Sequence, residues 1–355
     1  MSPPPPSAPL RPRLLALATA VPPYALHQAE VRQRAEAVFG VRSELERLIP
    51  VFDNAAIETR YSCVPIDWYY APQGWTERTR RFLDSADELL ERVTRQCLDA
   101  ARLGPEAIDA IVVVSTTGIA TPSLDARLME RLPFRRDVVR LPIFGLGCAG
   151  GVLGLARAAA LAAAMPGSRV LCLVVELCTL ACRKDDFSPS NIVATALFGD
   201  GAAGAILASD EGGGPRVGAA GDHTFPRSLD VMGWDVTDDG LRAIFSRDIP
   251  SLVQREFGGA ARGFLERHGL TLADIARFVC HPGGVKVLNA LEEVFELAPG
   301  ALADARAVLR DFGNMSAVTV LFVLDRVLRE TPRGRLLLTA LGPGFTAGFL
   351  LLDCG

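Results

Sequence analysis

Short runs of branched apolar residues alternate along this chain with stretches in which apolar positions recur every three or four residues, the pattern of buried strands interleaved with amphipathic helices. Residues 14–20 read as a buried first strand, a helix follows from about Gln28 toward Phe39, and a short helix ends near Asn54. The segment 57–61 leads into a loop holding Trp68, Tyr69, Tyr70 and Trp75, either a packed excursion or a lid over a cavity. Helical spacing then covers 80–101, a buried strand covers 108–114 and ends in Ser115-Thr116-Thr117-Gly118, and a helix runs through Ala126. A branched run ending at Ile143-Phe144 gives way to Gly145-Leu146-Gly147-Cys148-Ala149-Gly150-Gly151 and an Ala/Leu-rich helix to about Met165. Strands are expected at 169–176 and around 205–207, and Gly212-Gly213-Gly214-Pro215 marks a break between halves.

The second half repeats the first in outline. A strand at 273–280 followed by His281-Pro282-Gly283-Gly284 mirrors the strand that ends in Ser115-Thr116-Thr117-Gly118. Phe312-Gly313-Asn314-Met315-Ser316 and a helix through Leu328 mirror the Cys148 turn and its helix, and both copies then enter a strand, at 169–175 and 335–339. Two copies of one strand-loop-helix-strand unit predict a pseudo-two-fold α/β body whose loops meet at one centre.

Three loop residues acquire meaning from that convergence. Cys148 on a tight strand-to-helix turn lies where glycines permit positive φ and where the helix N-terminus lowers a thiol's pKa, so a thiolate is the species the turn favours; alone, it reads equally as one more buried small residue. His281 alone reads as a core histidine and Asn314 as a helix cap. Together they supply a nucleophile, an imidazole partner and a second donor to an oxyanion.

Composition narrows the class. With 355 residues, 49% hydrophobic and 22% charged, the chain has ample core for one large body or two fused halves. A net charge of −4, without a Lys/Arg run interleaved with aromatics, gives no support for a nucleic-acid partner. The eight cysteines lie mostly in apolar runs, which suits reduced thiols in a cytoplasmic protein and implies no disulfide framework. Cys178 and Cys182 lack a nearby His or third Cys, so no metal site is expected. Residues 1–12 are Pro-rich and expected to be flexible, and the longest apolar stretches are broken by Gly, Arg or Pro before about 18 residues, which predicts no membrane span.

Gly147-Cys148-Ala149-Gly150-Gly151, the segment 196–202 (Ala-Leu-Phe-Gly-Asp-Gly-Ala), His281-Pro282-Gly283-Gly284, Gly313-Asn314-Met315-Ser316 and Leu341-Gly342-Pro343-Gly344 resemble, in order and spacing, the signatures of the chalcone synthase-like type III polyketide synthases of the thiolase superfamily. The resemblance covers the chain after its leader. It implies a layered αβαβα fold in two halves, 13–211 and 216–355, a homodimer, and iterative decarboxylative condensation of malonyl-CoA onto an acyl-CoA starter without cofactor or metal. Carried over by position, Cys148 holds the acyl chain as a thioester, His281 pairs with the thiolate, and Asn314 supplies the second donor to the enolate oxygen. Phe198 resembles the gatekeeping aromatic, Thr121 the position that reaches the neighbouring subunit's cavity, and Gly342, Pro343, Gly344 and Ser316 belong to motifs around the cavity.

Departures from the plant pattern bear on product. Ala243 falls at the second gatekeeping position, with Phe245 two residues away, and Trp234 falls near a small cavity-shaping glycine, where it constricts or redirects the pocket. Cys178 and Ala181 are small where starter-cavity side chains are expected, leaving room for a medium or long acyl chain. Arg60 and Lys286 are the candidate cations for CoA phosphates, against the alternative of solvated surface charges. The expected products are alkyl-pyrones or alkyl-resorcinols; the alternatives are a malonyl-CoA or aromatic starter, a single-condensation ketoacyl synthase III-like enzyme, or a catalytically silent acyl-binding scaffold.

Overall fold

The computed structural model describes residues 11–39, 47–209, 213–246 and 248–355. Only Arg11 and Pro12 of the Pro-rich leader, and Gly213 to Pro215 of the glycine-rich break, fall within them; the rest of both segments lies outside the described residues.

In chain order the elements that matter below are β1 (Arg13–Ala20), α1 (Gln28–Phe39), α2 (Trp75–Ala101), β2 (Ala110–Val114), β3 (Val139–Ile143), α3 (Gly150–Ala164), β4 (Arg169–Leu177), α4 (Pro189–Leu197), β5 (Asp200–Ala208) and β6 (Arg216–Thr224). They continue with β7 (Met232–Thr237), β8 (Gly240–Phe245), α5 (Gly258–Glu266), β9 (Arg277–Cys280), α6 (Val285–Val294), α7 (Thr319–Arg329), β10 (Gly334–Gly342) and β11 (Thr346–Cys354). Nine strands form one sheet in the order β9-β10-β11-β6-β1-β5-β4-β2-β3. The repeat is plain in the pairing. β2 runs parallel to β4, and β4, β5 and β1 then pair antiparallel; β9, β10, β11 and β6 repeat that sequence of directions. The copies meet at β1 and β6, where the register consists of the single pair Arg13 and Arg216.

β3 has no counterpart in the second half. It pairs only with β2, and Val139, Leu141 and the following Phe144 are 44%, 39% and 58% exposed. The apolar run that ends at Phe144 therefore forms an open sheet edge.

Helices make the other layers. α2 lays its apolar face, including Phe82, Leu89, Leu90, Val93 and Cys97, against the strands of the first half. α5 does the same for the second half, with the Phe264 ring stacked on Phe349 of β11 at 5.1 Å. Between the two curved halves lie α3 and α7, in contact with each other and with strands of both. Glycines permit that approach: a Cβ on Gly151 would stand 2.1 Å from the Ala317 carbonyl oxygen. The 18 residues Gly147–Ala164 are apolar and long enough to cross a membrane by length and composition, contrary to the sequence expectation that Gly and Arg interrupt every such run, and 67% of that window is buried in the core.

Candidate active site

The nucleophile turn is built by close packing. Past β3 the chain turns through Gly145 (φ +96°) and Gly147 (φ +46°), and Cys148 lies in a single 3-10 turn, Gly147–Ala149, that runs directly into α3. The Gly147 N–H donates to Thr116 Oγ1 at 3.0 Å. A Cβ on Gly147 would lie 2.4 Å from Pro343 Cδ, and one on Gly342 would lie 2.2 Å from the Leu146 carbonyl oxygen. The Gly342-Pro343-Gly344 loop thus presses on the Cys148 turn itself.

The equivalent position before α7 holds Asn314. Gly313 turns at φ +69°, where a Cβ would meet the Leu197 carbonyl at 2.8 Å, and Asn314 exchanges backbone bonds with the end of α4, its N–H to Leu197 O at 2.8 Å and its carbonyl from Gly199 N–H at 3.0 Å. The side-chain orientation is fixed from both ends: Oδ1 accepts from the Ser316 N–H at 2.9 Å and Nδ2 donates to Gly283 O at 3.3 Å. One Nδ2 hydrogen is left for another acceptor.

His281 follows β9 and is anchored by its N–H to Thr339 O at 2.9 Å, yet neither ring nitrogen has a hydrogen-bond partner, although the residue is only 5% exposed. Burial pushes its pKa down to about 3, so the imidazole is neutral, with one nitrogen free to take a proton and the other to donate one. Burial also pushes the Cys148 thiol up to about 12; the Glu176 carboxylate adds to that rise and a hydrogen bond with Ser316 opposes it. Burial thus opposes the thiolate expected from the helix N-terminus. Taken singly, each group rests neutral.

Cys148, His281 and Asn314 line one cavity of about 830 Å³. Phe245 and Lys286 join them there, as expected, together with Met232, Leu341 and Arg47. Phe198 is buried beside it, its ring edge-on to Phe245 at 5.6 Å and to Trp234 at 6.0 Å. Cys178, Ala194 and Ala243 back this aromatic cluster. Of the two candidates for the second aromatic position, Phe245 faces the cavity and Ala243 lies buried behind it. Ala181 lines a separate opening of about 40 Å³ with Thr117, Ile119 and Trp75. Thr121 is on the surface, near exposed Ile119.

Arg60 requires a correction. It is 2% exposed, and its guanidinium donates to the carbonyls of Thr195 at 2.6 Å and Phe198 at 3.2 Å and to Gln28 Oε1, at the C-terminal end of α4. Buried there and absent from the lining of the Cys148 cavity, it is out of reach of a CoA phosphate at that cavity's rim. Arg47, which the sequence reading passed over, is exposed at the cavity's rim with Lys286.

Glu176 was also missed. It stands one residue from the end of β4 after the apolar run 170–175, fully buried, with Oε2 accepting from the Thr116 N–H at 3.0 Å and Thr117 Oγ1 at 2.8 Å. Burial pushes its pKa up to about 7, with the Ser316 hydroxyl among the donors that oppose the rise. Ser316, held at φ +48°, therefore stands between this carboxyl and the Cys148 thiol. A lone acid ending a buried apolar run was the signal available in sequence.

A half-buried thiol, a neutral imidazole and an oriented amide hydrogen around one cavity are the groups that thiol-dependent acyl transfer uses, a nucleophile and two donors for an oxyanion. Comparison with known proteins makes the class specific. Residues 8–211 match the N-terminal domain of chalcone and stilbene synthases, and residues 217–354 match the C-terminal domain. A putative chalcone synthase of Bacillus subtilis is 38% identical over 96% of this chain and 98% of its own length. A 1,3,6,8-tetrahydroxynaphthalene synthase of Streptomyces peucetius is 38% identical over 95% of this chain and 92% of its own. The crystal structure of the Streptomyces coelicolor tetrahydroxynaphthalene synthase, a bacterial type III polyketide synthase, superposes with a TM-score of 0.92 at 28% identity, covering 96% of this chain and 99% of that one. The chain belongs to the chalcone and stilbene synthase family, and it is a type III polyketide synthase, an acyltransferase-type enzyme.

Proposed function

We propose that this enzyme extends a medium or long fatty acyl-CoA with malonyl-CoA and closes the chain to an alkyl-pyrone or alkyl-resorcinol. The observation that carries this reading is the cavity of about 830 Å³ around Cys148, in which Phe245 belongs to an aromatic cluster backed only by the small residues Cys178, Ala194 and Ala243. Ala181, on the second opening beside Thr117, adds space on the far side of the Glu176 carboxyl.

In the reading we favour, the Cys148 proton passes to His281 as the sulfur attacks the starter thioester and CoA leaves. Malonyl-CoA then enters past Arg47 and Lys286, whose charges suit its phosphates. Loss of CO2 leaves an enolate whose oxygen accepts from His281 and the free Asn314 Nδ2 hydrogen. The enolate carbon attacks the acyl thioester, the Cys148–acyl bond breaks to leave the extended chain on CoA, and that chain is transferred back to the Cys148 sulfur with release of CoA for the next cycle. Neither metal nor separate base enters these steps. The first-half sheet edge, with Val139, Leu141, Phe144 and Ile119 exposed, supports a homodimer that covers β3 and brings Thr121 to the partner's cavity. Eight free cysteines suit a reducing, cytoplasmic setting.

A second reading, priming by malonyl-CoA alone, draws support from the 38% identical relative named as a tetrahydroxynaphthalene synthase and from the aromatic trio Phe198, Trp234 and Phe245, which crowds one side of the cavity. Mass spectrometry of products from purified enzyme, malonyl-CoA and a ladder of acyl-CoA starters separates the two. Product masses that track the starter, with several two-carbon additions, are expected; products from malonyl-CoA alone would sink the fatty-starter reading, and single-condensation ketoacids would sink iteration.

A further inference from the structure

Behind Phe198, on the side away from Cys148, lies a second pocket of about 80 Å³ between α1 and the end of α4. Its walls are apolar, with Val31, Ala35, Val38 and Phe39 from α1 facing Tyr69 and Phe198. Its charged residues are all cations: Arg34, Arg60, Arg183 and Lys184.

Two of these cations are buried and incompletely bonded. Arg60 is 2% exposed, and the Arg183 side chain is 10% exposed. The Nε–H of each has no acceptor among the described residues. Among the described residues Arg60 has no carboxylate partner; its groups are carbonyls and the Gln28 amide, and burial lowers its pKa to about 10. Among the described residues the Arg183 side chain reaches the exposed Asp239 at 3.7 Å and the Leu241 carbonyl at 3.4 Å, and Asp186 adds a weaker attraction. Lys184 donates to the Tyr70 carbonyl at 2.8 Å, and Arg34, at the rim, stands 3.5 Å from Asp67 and over the Tyr70 ring. A buried guanidinium without an anion costs several kcal/mol, and unsatisfied buried donors in a native protein call for a bound species.

We infer that this pocket is a binding site for a short aliphatic monocarboxylate, with its hydrocarbon body between α1 and the outer face of Phe198 and its carboxylate on the arginines. The paired N–H groups of a guanidinium match a carboxylate's geometry. Asp67 and Asp239 already offset part of the charge of Arg34 and Arg183, which favours a monoanion over a dianion. The apolar lining excludes an inorganic ion as the best fit, and a volume of about 80 Å³, where one water needs roughly 10–15 Å³ by the same measure, accepts a short chain. The site is distinct from the CoA entrance, which Arg47 and Lys286 flank.

The test is equilibrium binding of butanoate to the full-length enzyme, by calorimetry or saturation-transfer NMR, with butanamide as the neutral isostere and chloride held at constant ionic strength. Butanoate is expected to bind at least tenfold more tightly than butanamide, to do so with coenzyme A saturating, and to weaken at least tenfold in Arg183→Gln. Lys184→Gln, on a half-exposed residue, supplies a second reading of the charge requirement, and Ala35→Phe, which fills the pocket, should abolish binding while the melting temperature reports an intact fold. Equal binding of butanamide, displacement by coenzyme A, no saturable binding, or affinity unchanged in the folded variants would each overturn the assignment.

Discussion

Replacing Gly342 by alanine tests whether the Gly-Pro-Gly loop positions the nucleophile. Gly342 ends β10, and an added methyl would stand 2.2 Å from the Leu146 carbonyl oxygen and 2.8 and 2.9 Å from Ala149 Cβ and N. A carbon and a carbonyl oxygen approach no closer than about 3.3 Å, so the loop and the Cys148 turn must separate by about 1 Å. Overpacking of this kind costs about 1–3 kcal/mol, and a misplacement of about 1 Å at a reacting group costs about 100-fold in rate. The control is Gly145→Ala. Its φ of +96° strains an alanine by about 1–2 kcal/mol, but nothing lies within 4 Å of the added methyl. Both variants should lose similar stability, while only Gly342→Ala should lose about two orders of magnitude in the rate of Cys148 acylation, followed by rapid quench and intact-protein mass spectrometry with a saturating acyl-CoA. If Gly342→Ala loads at the wild-type rate despite its lower melting temperature, or if Gly145→Ala loads as poorly, the loop does not position the thiol.

Three further outcomes are expected. Cys148→Ala should abolish acyl loading, whereas Cys280→Ala, which removes a fully buried thiol next to His281, should load within a few-fold of wild type; equal loss in both would move the nucleophile. Glu176 rises from 4.5 to about 7 on folding, so the native state holds its proton where the unfolded chain has lost it, and wild-type stability should fall by about 3 kcal/mol as pH climbs from 4.5 through 7. Glu176→Gln removes that slope, so its melting temperature should gain on wild type between pH 5 and pH 8; parallel curves would refute the burial argument, although Asp200, raised to about 6 by burial, contributes a similar slope common to both proteins. Arg47→Ala combined with Lys286→Ala should raise KM for malonyl-CoA at least fivefold with kcat within twofold, and an unchanged KM would remove both residues from the entrance.

The repeat was legible in sequence because each copy carries its own punctuation, a glycine on the turn before Cys148 and before Asn314, and the strand pairing reproduces it. The aromatic wall was not, because it depends on the register of β7 with β8. Ala243 pairs with Trp234 and Phe245 with Met232, two positions apart on one face of the hairpin, so a two-residue slip decides which side chain meets the cavity. Arg60 was misread for a related reason. It sits in the four-residue strand Thr59–Ser62, whose positions alternate between partly exposed and buried, and it falls on the buried phase; Arg47, thirteen residues earlier, carries no pattern that marks it as a rim residue. The thiol's direction of shift could not be read at all, since it depends on how much protein covers the turn.

The sheet's centre carries a consequence of its own. The two copies are joined in the sheet through one register pair, Arg13 with Arg216, flanked by Leu14 N–H to Pro215 O at 2.9 Å and Val217 N–H to Pro12 O at 2.7 Å. Besides α3 and α7, which pack across the halves, the loops that hold Cys148 and Asn314 join them: Gly342 against Leu146, Pro343 against Gly147, Gly313 against Leu197 and Asn314 against Leu197 and Gly199. The chemistry is thereby made hostage to the joint. On the mechanism proposed above, a chain whose halves have folded but not yet closed on each other has a cysteine apart from His281 and Asn314, and is expected not to decarboxylate malonyl-CoA before it is complete.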